Sequence, residues 1–249
     1  MALICYIWEN KITSYRQIYD RFFYQSSKPV CSRRLAKLFK AGLINKVPIS
    51  NLGMAQHGYS ITPKGFESCV KISSLSGTIG QAKSDSIEHD LRLVDIRERL
   101  EVSREVTRYY TENALQGLYG LRHSDEYSPF VELRSDGLAK LTLGNKKFSV
   151  PIEYEASLKS IERCSYKILA YHTRKGIDGV FFICLNETIM NRFEEIERQL
   201  AKQYGPVLHF ALLRDVLDKS KDVHFRNVNG QSVILSGRNL TNQRVLTNC

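Results

Sequence analysis

Nowhere does this sequence run to the ~18 consecutive apolar residues of a membrane span, so no membrane partner is expected. The apolar start, Met1 to Trp8, lacks a basic leading region and meets Glu9 at once, which is too short for a signal peptide. No two of the six cysteines (5, 31, 69, 164, 184 and 249) are spaced C-x-x-C, so no thiolate metal site is signalled. Most of them read as buried free thiols, and the compartment as reducing and cytoplasmic. A phosphate-binding P-loop, a Ser-His-Asp cue, an internal repeat and a low-complexity tract are all missing. Acidic residues are scarce at one end only. Residues 1–83 hold 12 Lys and Arg against 3 Asp and Glu, whereas residues 84–249 hold 24 against 23.

That imbalance accounts for nearly all of the net charge of +10 and points to a polyanionic partner. The 249 residues are enough for one or two domains with cores of their own. Residues 1–12 read as a helix. Thr13-Ser14 can cap a second one, in which Tyr15, Ile18, Tyr19, Phe22 and Phe23 recur at helical spacing. A third helix is expected from about Val30 to Ala41, with Leu35, Leu38 and Phe39 buried and Gly42 just past its end. Ser32, Arg33, Arg34, Lys37 and Lys40 occupy its remaining positions. A strand from Leu43 to Ile49, a Ser-Asn-Leu-Gly tip and a strand near Gly58–Ile61 then make a hairpin, and Thr62-Pro63 opens a further helix.

Helix, helix, basic helix and hairpin in that order describe a winged helix-turn-helix over residues 1–75. In such a module the third helix enters the major groove of double-stranded DNA and the wing, here with Lys46, touches the backbone. Winged helices also serve as protein-binding modules, but the clustered cations favour DNA. The Ser- and Gly-rich residues 72–87 read as a linker.

From 86 onward the pattern is α/β (α+β): a helix through Ile87, Leu91, Val94, Ile96 and Leu100, then a polar, Tyr-rich stretch that reads as loop with short helix. Strands are expected at Pro129–Arg134, Leu138–Leu143 and Phe148–Glu155. A helix at 158–173, a buried strand at 179–185, a helix at 189–204 and a strand near 207–213 follow. This predicts a mixed α/β sandwich over 86–249.

Alternation along "FSVPIEYEAS" puts Glu153 and Glu155 on one strand face. Paired acids repel unless a cation lies between them; alternatively they are solvated on an edge strand. Asp136 can be brought beside Glu153 by the hairpin. Arg163, Lys167 and Tyr171, four apart, share a face of the next helix. Asp136, Glu153 and a backbone carbonyl near Tyr154 would suit Mg²⁺ or Mn²⁺, with Lys167 opposing charge that develops on a phosphate.

The strings "SIEHDLRLVDIRERLE", "LRSDG", "VPIEYE" and "ERCSYKILAYH", in this order after a winged helix, resemble the replication-relaxation family and the MobC-type relaxases of plasmid mobilisation. The resemblance covers about Tyr15 to Leu213 and implies a PD-(D/E)xK, restriction-endonuclease-like second domain. By position it makes Asp136 the motif Asp, Glu153 the motif acid and Glu88 the acid of the first core helix. Glu88, Asp136, Glu153 and Glu155 become the implied metal ligands. Glu155 stands where the pattern wants Lys, and Lys167 takes that role from the following helix. The implied activity is metal-dependent nicking of double-stranded DNA at a plasmid origin of transfer or replication, with an accessory relaxosome protein as a further partner. The alternative is a non-catalytic DNA-binding regulator or replication accessory on a degenerate nuclease fold. The isolated histidines (57, 89, 123, 172, 209 and 224) leave no H-x-H cluster of the kind tyrosine relaxases use. His89, beside Glu88, reads as a packing or capping residue.

Overall fold

A computed structural model describes residues 2–49, 56–73, 76–80 and 86–237. The chain divides into two compact units, Met1–Asp95 with Asn113–Ser124, and Ile96–Glu112 with Asp125–Cys249. In chain order the elements are α1 (Ala2–Glu9), β1 (Thr13–Ser14), α2 (Tyr15–Ile18, continued by a π-helical turn at Tyr19–Phe23), α3 (Lys28–Lys40), β2 (Ile44–Ile49), β3 (Gln56–Ile61), α4 (Pro63–Ser73), α5 (Ile87–Glu101), β4 (Val106–Thr111), α6 (Glu112–Gly117), α7 (Tyr119–Arg122) and α8 (Ser128–Glu132). They continue as β5 (Gly137–Leu143), β6 (Lys146–Glu155), α9 (Ile161–Thr173), β7 (Val180–Cys184), α10 (Glu187–Tyr204), β8 (Leu208–Leu212), α11 (Leu213–Leu217), β9 (Val223–Asn227) and β10 (Ser232–Leu235).

The first unit is a winged helix. Its α1 is apolar nearly all round and is correspondingly sunk in the core, with Leu3, Ile4, Tyr6, Ile7 and Trp8 buried. Ser14 and Gln17 form a reciprocal capping box at the start of α2. Pro29 sits in the first turn of α3, and Gly42, at φ +70°, ends it in the left-handed conformation that glycine adopts without strain. The hairpin pairs Ile44 with Ile61 through Ile49 with Gln56, and β1 adds to its other side, giving the order β1-β3-β2. Thr62 caps α4, accepting from the Gly65 amide at 3.0 Å. Ile7, Trp8, Ile18, Leu35, Leu38, Ile44, Tyr59, Ile61 and Phe66 form one apolar core.

Three expectations change here. Phe39 is exposed, because α3 buries Cys31, Leu35 and Leu38, and Phe39 instead lies under the Lys46 ammonium at 5.2 Å. Cys5 and Cys69 are joined as a disulfide between α1 and α4, while among the described residues Cys31, Cys164 and Cys184 are buried free thiols. Residues 76–80 of the expected linker are pinned into this unit. Gly77 bridges Leu118, the Thr78 amide donates to the Gly117 carbonyl, and the Trp8 indole donates to the Ile79 carbonyl at 2.9 Å. The predicted tip at 50–53 lies outside the described residues.

The second unit is a mixed α/β layer structure, the class expected from the alternation of helical and strand patterns. Its sheet runs β10-β9-β8-β7-β6-β5-β4. β4, β5 and β6 form an antiparallel meander, β6, β7 and β8 are parallel, and β9 and β10 return antiparallel. The β5–β6 turn uses Gly144-Asn145, with Gly144 at φ +58°. All five residues of β7 are buried, as a parallel strand covered on both faces requires. His172 of α9 meets Glu197 of α10 at 2.7 Å, and Glu197 also accepts from the Val207 and Leu208 amides, fixing both helices to β8. At the far edge Ser103 bridges Gly237, so the end of β10 closes on the segment before β4.

The expected strand at Pro129–Arg134 is instead the helix α8. Pro129 stands in its first turn, where proline's fixed φ favours a helix and its missing N–H costs nothing. The first strand of the meander is β4, inside the Tyr-rich stretch expected to be loop with short helix, whose helical part is α6 and α7. The β9–β10 hairpin lies beyond the last expected strand. Among the described residues no helix is long and apolar enough to cross a membrane.

Candidate functional site

The first unit offers a basic face. Ser32, Arg33, Arg34, Lys37 and Lys40 are all exposed on α3, opposite its buried Cys31, Leu35 and Leu38, and Lys46 is exposed on β2. Tyr15 fixes the start of that face by donating to the Lys28 carbonyl at 2.9 Å, with Ser32 Oγ at 3.2 Å.

The second unit offers a buried cluster of opposite character. Arg134 adopts φ +52°, and the chain turns there into Ser135, Asp136 and β5. Gly137 is required directly after, since a Cβ there would overlap the Tyr109 hydroxyl. Asp136 Oδ2 accepts from the backbone amide of Tyr154 at 2.8 Å, which places it at β6 between Glu153 and Glu155 in sequence. β6 is an interior strand, so these acids are not solvated on an edge: Glu153 is 0% exposed and Glu155 1%.

Both are met from α9. Lys167 Nζ lies 2.6 Å from Glu153 Oε2 and 2.9 Å from Glu155 Oε1. One turn later Tyr171 donates to Glu153 Oε1, and its hydroxyl is 2.9 Å from Ser135 Oγ. Lys159 takes the other oxygen of Glu155 at 2.6 Å. Two lysines, about 30% exposed, thus cover two carboxylates that are sealed from water.

The electrostatics follow from this packing. Burial pushes the Glu153 carboxyl up to about 7; Lys167 and Tyr171 oppose that and the charge of Asp136 adds to it. Burial also raises Glu155, but Lys167 and Lys159 outweigh it and hold that carboxyl below its ordinary value. Burial pulls the Lys167 ammonium down, yet Glu153, Asp136 and Glu155 together hold it above the usual lysine range. Glu153 is therefore poised near neutrality, while Glu155 and Lys167 are firmly charged.

Of the residues singled out from sequence, Asp136, Glu153, Glu155 and Lys167 come together. Glu88 is an exposed residue in the first turn of α5, in the first unit. Arg163 is exposed on α9. Lys159 and Ser135 lie in irregular segments, where neither helical nor strand periodicity could have flagged them. Asp136, half-buried, and Glu153, buried beside the Lys167 ammonium, are hard oxygen donors. That chemistry fits Mg²⁺ or Mn²⁺, ions that use one or two carboxylates and complete their shell with water or phosphate. Among the described residues no three His, Cys, Asp or Glu side chains group as a ready-made metal site.

No protein-family model and no curated protein matches the chain. A solved structure of the restriction endonuclease FokI bound to DNA is similar to it at a TM-score of 0.26 and 10% identity, covering 77% of this chain. The chain spans 57% of that protein's length.

Proposed function

We propose that the chain is a cytoplasmic, metal-dependent, site-specific DNA nickase or relaxase of plasmid mobilisation or replication. The winged helix selects a double-stranded origin, and the second unit cuts one strand, with an accessory relaxosome protein as partner. The observation that carries this reading is the meeting of Asp136, just before β5, with Glu153 near the end of β6 and Lys167 in the middle of α9. Asp136 and Glu153 would hold Mg²⁺ or Mn²⁺, which supplies Lewis-acid charge to a scissile phosphate. Lys167 stands on Glu153 with a third of its side chain reaching solvent, and it opposes charge that builds on the phosphate oxygens. On α3, Arg33 and Arg34 read base edges while Lys37 and Lys40, with Lys46 of the wing strand β2, bind phosphates.

The test is supercoiled plasmid carrying the candidate origin, incubated with protein and Mg²⁺ or Mn²⁺ and scored for open circles. Wild type should nick, and Asp136→Ala and Glu153→Ala should not. One observation favours a second reading, a non-catalytic regulator on a degenerate nuclease fold. Glu155 stands in the usual lysine position, and two lysines already neutralise it. Absence of both nicking and Mn²⁺ binding in wild type would overturn the nickase reading and put that alternative in its place.

A further inference from the structure

Glu153 is gripped at both oxygens by one helix. Lys167 and Tyr171 are four residues apart on α9 and therefore project from the same face. Lys167 takes Oε2 and Tyr171 donates to Oε1. A phenol has one proton, and this one is committed to the carboxylate. The 2.9 Å contact between Ser135 Oγ and the Tyr171 hydroxyl must then have serine as donor. Ser135 is fully buried and Tyr171 is 1% exposed, so water does not compete for either hydrogen bond.

The two ends of this relay belong to one short segment. Ser135 and Asp136 are neighbours: the first reaches α9 through Tyr171, and the second reaches β6 through the Tyr154 amide. The turn at Arg134 thus sets Asp136 directly and sets the plane of the Glu153 carboxylate indirectly. Without the Tyr171 hydrogen bond the carboxylate is held at one oxygen only, by Lys167, and its last torsion, which has no strong staggered preference, is less closely fixed.

We propose that Tyr171, oriented by Ser135, is the positioning residue that aims Glu153 beside Asp136 as a divalent-cation ligand. The proposal rests on the metal-dependent reading above and deepens it. Outer hydrogen-bond partners of this kind typically change metal affinity by about 10- to 100-fold.

The experiment is Mn²⁺ titration of the full chain by calorimetry and electron paramagnetic resonance, with nicking kinetics in parallel. Tyr171→Phe removes one hydroxyl and keeps the ring. It should weaken Mn²⁺ binding about 10- to 100-fold and lower kcat comparably, with KM for DNA unchanged. Ser135→Ala should shift both in the same direction by less. In a Glu153→Gln background, Tyr171→Phe should add no further loss, because the carboxylate it aims is gone. Should Tyr171→Phe fail to fold, Ser135→Ala decides alone. Wild-type Mn²⁺ affinity in a folded Tyr171→Phe protein, or in Ser135→Ala where it decides, overturns the positioning role and leaves the nuclease reading standing. No Mn²⁺ binding by wild type overturns both.

Discussion

In the first unit the cations Arg33, Arg34, Lys37 and Lys40 stand on the open side of a helix whose other side is a plain apolar stripe. In the second, Glu153 and Glu155 are nearly sealed from water and are held by lysines that reach in from α9 and from the loop before it. The difference is one of what each charge does for its own fold. An exposed arginine can be lost with little structural consequence, because its solvation is the same folded or unfolded. A buried glutamate has given up its hydration and depends on its partners. One region can therefore evolve its ligand freely, whereas the other couples its chemistry to its stability.

Lys167→Ala is expected to have the largest effect. It leaves Glu153 and Glu155 short of a partner and should cost about 3–5 kcal/mol of stability, the usual penalty for breaking a buried ion pair. Denaturant unfolding at neutral pH checks it. A loss under about 0.5 kcal/mol, typical of surface changes, would mean that the cluster is wet.

The pH dependence of Glu153 comes next. Its folded value of about 7 lies above the ordinary 4.5, so the folded state binds the proton more tightly. Its stability contribution is whole below about 4.5 and is lost as pH rises through about 7, at up to about 1.4 kcal/mol per unit. Glu153→Gln cannot ionise and should escape this loss. The gap between variant and wild type in unfolding midpoint should therefore widen from about pH 5 to about pH 8 in favour of glutamine. A gap independent of pH would contradict the burial argument.

In the first unit, Arg33→Ala/Arg34→Ala should leave stability within about 0.5 kcal/mol yet weaken DNA binding, each base contact being worth roughly 1–3 kcal/mol. Fluorescence anisotropy against matched and scrambled origin duplexes measures both affinity and preference. The smallest effect belongs to Lys46→Ala, which should lower affinity equally for all sequences and reduce the slope of log affinity against log salt by about 1.

The sequence carried these two regions to different extents. The basic face of α3 was legible because surface charge obeys no packing constraint beyond helical spacing. Phe39 was misplaced because a three-residue stripe of Leu35, Leu38 and Phe39 fits the helical period as well as Cys31, Leu35 and Leu38 does. Glu153 emerged from strand alternation, Asp136 from one hairpin turn and Lys167 from helical spacing. Ser135 and Lys159 did not, since each acts through an irregular segment whose course only tertiary packing sets. The strand β4 was hidden by its composition, Val-Thr-Arg-Tyr-Tyr-Thr, which does not alternate cleanly and shows its buried residues at uneven spacing.

The division of labour between the two units is tested most directly by nicking of origin plasmid at two protein concentrations. Asp136→Ala should bind the origin as wild type does and nick at neither concentration. Arg33→Ala/Arg34→Ala should nick poorly at low protein and recover at saturating protein, since its Asp136, Glu153 and Lys167 are unchanged. Nicking by Asp136→Ala at the wild-type rate, or failure of the arginine variant to recover at saturation, would contradict the account.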